Sequence, residues 1–359
     1  MIGCGYWGSK HARVLNSIDD VASVAVIDRD GGKVNRLVQS FPGVVGFTSL
    51  EAALEVVDAV VIATPPSTHA PLAMRLIEAG KHVMVEKPMA TTSADARAMI
   101  GAADAKGVTL MVGHTFEYHS AVWKLRDMVH SQEIGDLFYL DTARLNLGLY
   151  QSDVNVILDL APHDVSILNY ILGRPPVSVH CWASRHAHRF LEDVAYLRLS
   201  YADPAVFANI HVSWLDPCKV RRVTLVGSKK MVVYNDLASE ERIRIHDKGV
   251  LQMPAQGDDT RPPMSYRYGD VVAPYLTMNE PLVVEDGHFV DSIMSGTRPM
   301  TDGANGLAVV EILEAAQLSL DEGRPVEIAE IRQRTPVDGI ELPPPVSSPE
   351  LVVPEPELT

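Results

Sequence analysis

Several things are scarce in this chain, and each scarcity removes a class of protein. Only three cysteines occur, Cys4, Cys181 and Cys218, odd in number and far apart. A disulfide framework is therefore not expected, and a reducing cytoplasm suits the composition. No apolar run approaches the ~20 residues that a membrane span requires. No basic segment followed by an apolar stretch stands at the start, as it would in a secretory signal. Positive charge is also short: 31 Lys and Arg stand against 46 Asp and Glu, a formal net charge of −15. That balance argues against nucleic acid or an anionic membrane as the main partner. A few arginines gathered locally would still bind an anionic small molecule. No internal repeat is visible.

What is there is a chain of 359 residues with 47% apolar composition, enough for two domains and a large core. In the first third, short apolar runs alternate with helical patterns. Strands are predicted at Val21–Ile27, Asp58–Ala63, His82–Val85 and Thr109–Val112, and helices at Gly31–Ser40, Thr68–Ala79 and Ser93–Lys106. This alternation indicates parallel βαβ units. After about residue 119 a helix (Ala121–His130), a long strand (Leu137–Asn146) and a helix (Val156–Leu172) follow. Then come β-rich runs in succession: Val177–Ala183, Ala195–Tyr201, Val206–Ser213, Arg221–Val226, Met231–Tyr234 and Ile243–His246. Strands without intervening helices predict an open, mostly antiparallel sheet. Asp247–Glu280 reads as loop, and helices near Glu285–Ser295 and Gly303–Glu322 close the fold. From Pro336 onward Pro, Glu and Val dominate without a period. The expected division is a dinucleotide-binding domain over 1–118, a substrate and oligomerisation domain over 119–335, and a disordered Pro-rich tail over 336–359.

The chain opens Met-Ile-Gly-Cys-Gly-Tyr-Trp-Gly, so Gly3, Gly5 and Gly8 fit G-x-G-x-x-G, with Tyr6 and Trp7 inside the motif. The glycines serve a tight turn, close approach of a pyrophosphate, and close packing of helix on strand. The helix N-terminus behind them attracts that anion. Asp28 ends the next strand, 20 residues past Gly8, where a carboxylate binds ribose hydroxyls. It favours NAD over NADP, because it repels an added phosphate; Arg29 beside it softens the preference. Only Met1 and Ile2 precede Gly3, so either the first strand is short or translation starts upstream; the second is preferred here. A missing central strand leaves its neighbours' backbone groups unpaired.

Three further tracts are more specific. Ala63-Thr64-Pro65-Pro66-Ser67-Thr68-His69 ends one strand and opens a helix, Glu86-Lys87-Pro88 ends the next, and Asp159-Leu160-Ala161-Pro162-His163-Asp164 lies in the second part. In this order they resemble the glucose–fructose oxidoreductase / inositol dehydrogenase / MocA (Gfo/Idh/MocA) family, from residue 1 to about 330. The resemblance implies a Rossmann domain, an open substrate sheet, and a nicotinamide cofactor used on sugars or polyols. Carried over by position, Lys87 and His163 are the catalytic pair and Asp159 their neighbour. Arg144-Leu-Asn146 and the tract from Val212 to Arg221 resemble members acting on nucleotide sugars in polysaccharide or glycoconjugate pathways.

The chemistry suits these residue types. Oxidising a secondary alcohol sends a hydride to nicotinamide and a proton to a base. Histidine, with an unperturbed pKa of about 6.5, exchanges that proton in either direction. Lys87 either holds the substrate hydroxyl as a cation or, with a lowered pKa, is itself the base. Thr64, Pro65, Pro66, His69, Glu86 and Lys87 are expected along the cofactor. Arg144, Asn146, Lys87, Asp159 and His163 are expected at the substrate, with a surface salt bridge as the alternative for Arg144. Asp159 and His163, four apart, share a helix face, although Pro162 implies a kink or a helix start there. Trp214 and Tyr201 are expected to pack the sheet, and Tyr266 and Tyr268 to border the substrate. His180, Cys181, His186 and His188 lack zinc-like spacing, and no metal is expected. The leading function is an NAD-dependent sugar oxidoreductase, its substrate nucleotide-linked. The alternatives are a free polyol or inositol dehydrogenase and a non-catalytic NAD-binding regulator. An exposed sheet face would favour a homodimer or homotetramer.

Overall fold

The computed structural model describes residues 1–151, 153–202, 204–252 and 264–334. Its first part runs α1 (Tyr6–Leu15), β1 (Val24–Ile27), α2 (Gly31–Ser40), β2 (Val44–Phe47), α3 (Leu50–Leu54), β3 (Ala59–Ile62), α4 (His69–Glu78), β4 (His82–Glu86), α5 (Ser93–Lys106) and β5 (Leu110–Gly113). β1 pairs in parallel with β2, and β3, β4 and β5 form a second parallel group. Ile2 joins the two groups by bridging Ile27 on one side and Ile62 on the other. Its N–H donates to the Val61 carbonyl and its own carbonyl accepts from Ala63 N–H, both at 2.8 Å. Two residues thus hold the central strand position. The Met1 nitrogen is buried there and donates to the Ala25 carbonyl at 2.8 Å. Side-chain caps fix the helix starts: Asp30 accepts from Gly32 and Lys33 N–H, and Thr92 from Asp95 N–H.

The second part runs α6 (Ser120–His130), β6 (Leu137–Leu147), α7 (Val156–Leu172), β7 (Ser178–Ser184), β8 (Val194–Tyr201), β9 (Val206–Ser213), β10 (Leu215–Gly227), β11 (Met231–Asn235), β12 (Ile243–Gln252), β13 (Met264–Val272), α8 (Pro281–Ser295), α9 (Gly303–Glu322), β14 (Val326–Glu327) and α10 (Ile328–Arg334). The strands form one open sheet in the order β13-β12-β11-β10-β6-β9-β8-β7-β14. Every pairing is antiparallel except β6 with β9. α7 and α9 cover one face, where Val165, Leu168, Ile312 and Ala316 pack against Leu197, Ile210 and Leu225. The other face carries the exposed rings of Trp182, Tyr196 and Phe207. α9 ties the two parts together: Leu307 and Val310 enter the core beneath the parallel sheet, while Val309 and Leu313 enter the core of the second.

Several expectations change. The stretch after Asp247 is no simple loop, because β12 continues to Gln252 and pairs with β13, Val250 opposite Tyr266 and Lys248 opposite Tyr268. Tyr266 and Tyr268 are exposed on this edge strand, four strands along the sheet from β6. Most β13 side chains are exposed, and although Met264-Ser265-Tyr266-Arg267-Tyr268 alternates apolar and polar residues, no buried face accompanies it. The segment Arg221–Val226 lengthens to all of β10, with a register slip between Leu215 and Val220. His186 and His188 lie in the loop after β7, not on a strand. α7 starts at its Asn155 cap, which accepts from Leu158 N–H, and Pro162 lies inside the helix. The Pro-rich segment from Pro336 lies outside the described residues. Among the described residues no helix is long and apolar enough to cross a membrane, and no cluster of three or more metal-ligating side chains forms.

Candidate active site

Parallel strands place the residues that follow them along one carboxyl edge, where open α/β sheets bind ligands. Gly3, Asp28, Thr64, Lys87 and His114 occupy that edge after Ile2, β1, β3, β4 and β5. Gly3 has φ +94°, and a Cβ there would collide with the Ala63 carbonyl; a Cβ on Gly8 would overlap the Gly3 carbonyl. A Cβ on Gly5 would meet nothing within 4 Å. Gly5 caps α1 without a side-chain hydrogen bond, so the first N–H groups of the helix face open space. This is a cradle for a pyrophosphate, and the residues fit a dinucleotide. Exposed Tyr6 and Trp7 pack edge to face at 5.5 Å beside it. The Asp28 carboxylate accepts from Cys4 N–H at 2.8 Å and Asp30 N–H at 2.9 Å. Each oxygen keeps acceptor capacity for ribose hydroxyls. Arg29 beside it is exposed.

The turn after β3 is tied to the turn after β4. Thr64 Oγ1 lies 2.7 Å from Thr68 Oγ1, whose hydroxyl donates to the Pro65 carbonyl. Pro66 opens the short helical turn Pro66–Thr68. The buried His69 ring spans both turns, with Nε2 2.8 Å from the Thr64 carbonyl and Nδ1 2.9 Å from the Pro88 carbonyl. Burial holds its pKa below the usual histidine value. The Lys87–Pro88 peptide is cis.

Lys87, Asp159 and His163 come together. Lys87 Nζ donates to the Asp159 carbonyl at 2.8 Å and lies 3.7 Å from Asp159 Oδ1. Asp159 Oδ2 accepts from Trp214 Nε1 at 2.9 Å. His163 follows one turn later on α7, its ring edge-on to Phe116 at 5.2 Å. Burial, then the charges of Lys87, Arg144, Arg221 and His114, holds His163 well below the ordinary histidine pKa. No hydrogen bond joins Asp159 to His163 among the described residues, since Asp159 is committed to Trp214 and Lys87.

Other side chains sit differently from expectation. Arg144 forms a buried pair with Asp164, Nε to Oδ2 at 2.7 Å, and stacks over Phe116 at 4.6 Å. It is not a surface salt bridge. Asn146 Oδ1 is buried without a partner among the described residues. Glu86 turns inward to His11 Nε2 at 3.1 Å and accepts from Lys87 N–H at 3.1 Å. Three site residues escaped the reading of the sequence. Trp214 packs the sheet as expected but also orients Asp159. Phe116 lies between His163 and Arg144. His114 is buried with neither ring nitrogen partnered among the described residues, and burial pushes its pKa down to about 4. Its one legible signal is position: it stands directly after β5, as Lys87 stands after β4.

Residues 1–114 match the GFO_IDH_MocA description, an oxidoreductase family with an NAD-binding Rossmann fold, and residues 122–233 match the GFO/IDH/MocA C-terminal domain. The chain belongs to the Gfo/Idh/MocA oxidoreductase family. Within it, the chain is similar to the D-apiose dehydrogenase of Paraburkholderia graminis, 25% identical over 350 residues that span 94% of this chain and 91% of the relative. It is 33% identical to the UDP-N-acetylglucosamine 3-dehydrogenase of Acidithiobacillus ferrooxidans over 180 residues, 50% of this chain and 55% of the relative. Among solved structures it resembles GenD2 of gentamicin A biosynthesis in complex with NAD: TM-score 0.76, 28% identity, 91% of this chain and 94% of that one. This Gfo/Idh/MocA member is thus an NAD-type oxidoreductase acting on CH–OH groups of sugars.

Proposed function

We propose that this oxidoreductase interconverts a secondary alcohol and a ketone on a nucleotide-linked sugar, with Lys87 and His163 as the reacting pair. The observation that carries the reading is the Lys87 ammonium, fixed 2.8 Å from the Asp159 carbonyl beside a histidine held neutral. Bound NAD supplies the hydride acceptor. Gly3, Gly5 and Gly8 admit its pyrophosphate, and Asp28 takes the adenosine ribose. Lys87 donates to the substrate oxygen and stabilises negative charge as it develops. Neutral His163 accepts the hydroxyl proton in the oxidising direction and returns it in the reducing one. Asp159, held by Trp214, keeps the ammonium aimed at the crevice.

Likeness to a UDP-sugar dehydrogenase over half the chain supports the nucleotide-linked substrate. Likeness to D-apiose dehydrogenase over nearly the whole chain supports a free sugar as the second reading. Absorbance of the reduced nicotinamide, with NAD and a panel of nucleotide sugars, free sugars and inositols, decides between them. A signal with a nucleotide sugar is expected. A signal with free sugars or inositols alone selects the second reading. NAD binding without turnover of any of these, or of the corresponding ketones with NADH, selects a non-catalytic regulator.

The open face of the second sheet, with Trp182 against Tyr196 at 5.8 Å and Tyr196 stacked on His211 at 4.0 Å, is the proposed contact between copies. A dimer or tetramer by light scattering is expected, and a monomer at micromolar concentration overturns this.

A further inference from the structure

Beyond Asp159 the aromatic contacts continue outward. Trp214, whose Nε1 holds Asp159, meets Tyr150 with ring centroids 5.2 Å apart. Tyr150 stacks on His188 at 6.4 Å and 19°, and His188 meets Phe190 edge-on at 6.4 Å. Phe190 is 69% exposed, so the row runs from the reacting pair to the surface. Its outer part is the loop between β7 and β8, and that loop is pinned. The Asp193 carboxylate accepts from the N–H groups of His186 at 3.0 Å, Ala187 at 2.7 Å and His188 at 3.3 Å. Glu192 is held by Asn155, the cap of the helix that carries Asp159 and His163. His188 Nδ1 accepts from Phe190 and Leu191 N–H, which leaves its Nε2–H as a free donor.

Two chemical features of this ledge lack a partner among the described residues. Arg189 lies over the Phe190 ring at 5.3 Å and pairs with no carboxylate among the described residues. Against Trp214, the Tyr150 hydroxyl and Asn146 Oδ1 are buried without hydrogen-bond partners among the described residues. A buried polar atom left unpaired costs about 1–3 kcal/mol, and a ligand group is one way to satisfy it.

We propose that this ledge is the subsite for the part of the substrate remote from the reacting carbon, a nucleoside diphosphate. The inference rests on the nucleotide-sugar reading above and adds where the nucleotide goes. Arg189 and His188 Nε2–H bind the diphosphate, the ring face of Phe190 takes the base, and Asn146 with the Tyr150 hydroxyl binds sugar hydroxyls next to Trp214. The pinned loop needs little ordering on binding.

Calorimetry with UDP and dTDP on NAD-saturated protein tests this without turnover, because saturation blocks the cofactor's own diphosphate site. Binding is expected for the wild type and about tenfold weaker in each of Arg189→Ala and Phe190→Ala, with NAD affinity unmoved. Where a nucleotide sugar is turned over, its KM rises in the same variants. No binding of either diphosphate to the wild type overturns the subsite, as does equal binding to all three proteins. Failure of the parent reading is a separate result: turnover of free sugars alone. Even then, diphosphate binding lost in Arg189→Ala retains the ledge as an anion site, and absent binding removes it.

Discussion

Lys87→Ala lowers kcat by about a thousandfold while NAD affinity changes only a few-fold. A cation that meets the developing charge and a group that assists proton transfer each contribute about 10²–10⁴ in rate. The Lys87 side chain is only 11% exposed, so no solvent ion replaces it at comparable geometry. The cofactor contacts assigned to Gly5 and Asp28 lie at the start of α1 and after β1, not on β4, and stay intact. Lys87→Arg does not rescue, because a planar guanidinium does not reproduce the placement of an ammonium on the Asp159 carbonyl. Stopped-flow absorbance of reduced nicotinamide separates the two quantities, and a variant keeping more than a tenth of the wild-type kcat removes Lys87 from the chemistry. The pH profile adds an internal check. In the oxidising direction His163 must be neutral, so kcat/KM falls as pH drops through its pKa, which burial and the neighbouring cations hold below 6.5. Removing the Lys87 charge removes one of those causes, and the acid limb of the residual activity moves to higher pH.

The parts of this fold that were legible beforehand share a property: their signal is local. Gly3, Gly5 and Gly8 answer to turn geometry and backbone contact within a few residues. α2 and α7 announce themselves by period, and α2, α5 and α9 have the caps Asp30, Thr92 and Gly323. The elements that escaped are short or largely exposed. β2 includes Gly46, which lies against Val34, and β14 has two residues held by pairing with β7. β13 is largely exposed along an edge. In the site, Lys87 and His163 were legible because their tracts are ordered along the chain as in the family. The role of Trp214 rests on a bond to a residue 55 positions away, and that of His11 on one to a residue 275 positions away. No window of sequence contains either contact. The partner of Arg144 was illegible for the same reason: Asp164 was read as part of a motif, not as the carboxylate facing β6.

That distant contact of His11 carries the second large effect. His11 lies one turn beyond Gly8 on α1 and is fully buried, with Nδ1 2.8 Å from Asp286 Oδ1 on α8 and Nε2 3.1 Å from Glu86 Oε1 on β4. Burial alone would lower its pKa, but Asp286 and Glu86 outweigh burial and push it up to about 10. At neutral pH it is therefore an imidazolium between two carboxylates, with buried Glu285 close by, whose carboxyl burial holds well above the usual range. His11→Ala leaves Glu86 and Asp286 without their shared cation. Breaking a buried pair in this way costs about 3–5 kcal/mol, a large share of the roughly 5–15 kcal/mol that holds a domain folded. Urea unfolding at pH 7 measures it, and a loss below about 1 kcal/mol would mean the carboxylates have other partners. The pH dependence fixes the sign. A folded pKa above the unfolded value of 6.5 gives stability that is complete below 6.5 and lost as pH rises through about 10. Over that window the wild type loses up to about 1.4 kcal/mol per pH unit from this group, and His11→Ala lacks the slope. Asp286→Asn in the His11→Ala background recovers part of the loss by removing one uncompensated charge. Activity falls with stability although His11 does not line the crevice. Glu86, its partner, also accepts from Lys87 N–H, so the imidazolium on the cofactor helix helps hold the strand end that presents the ammonium.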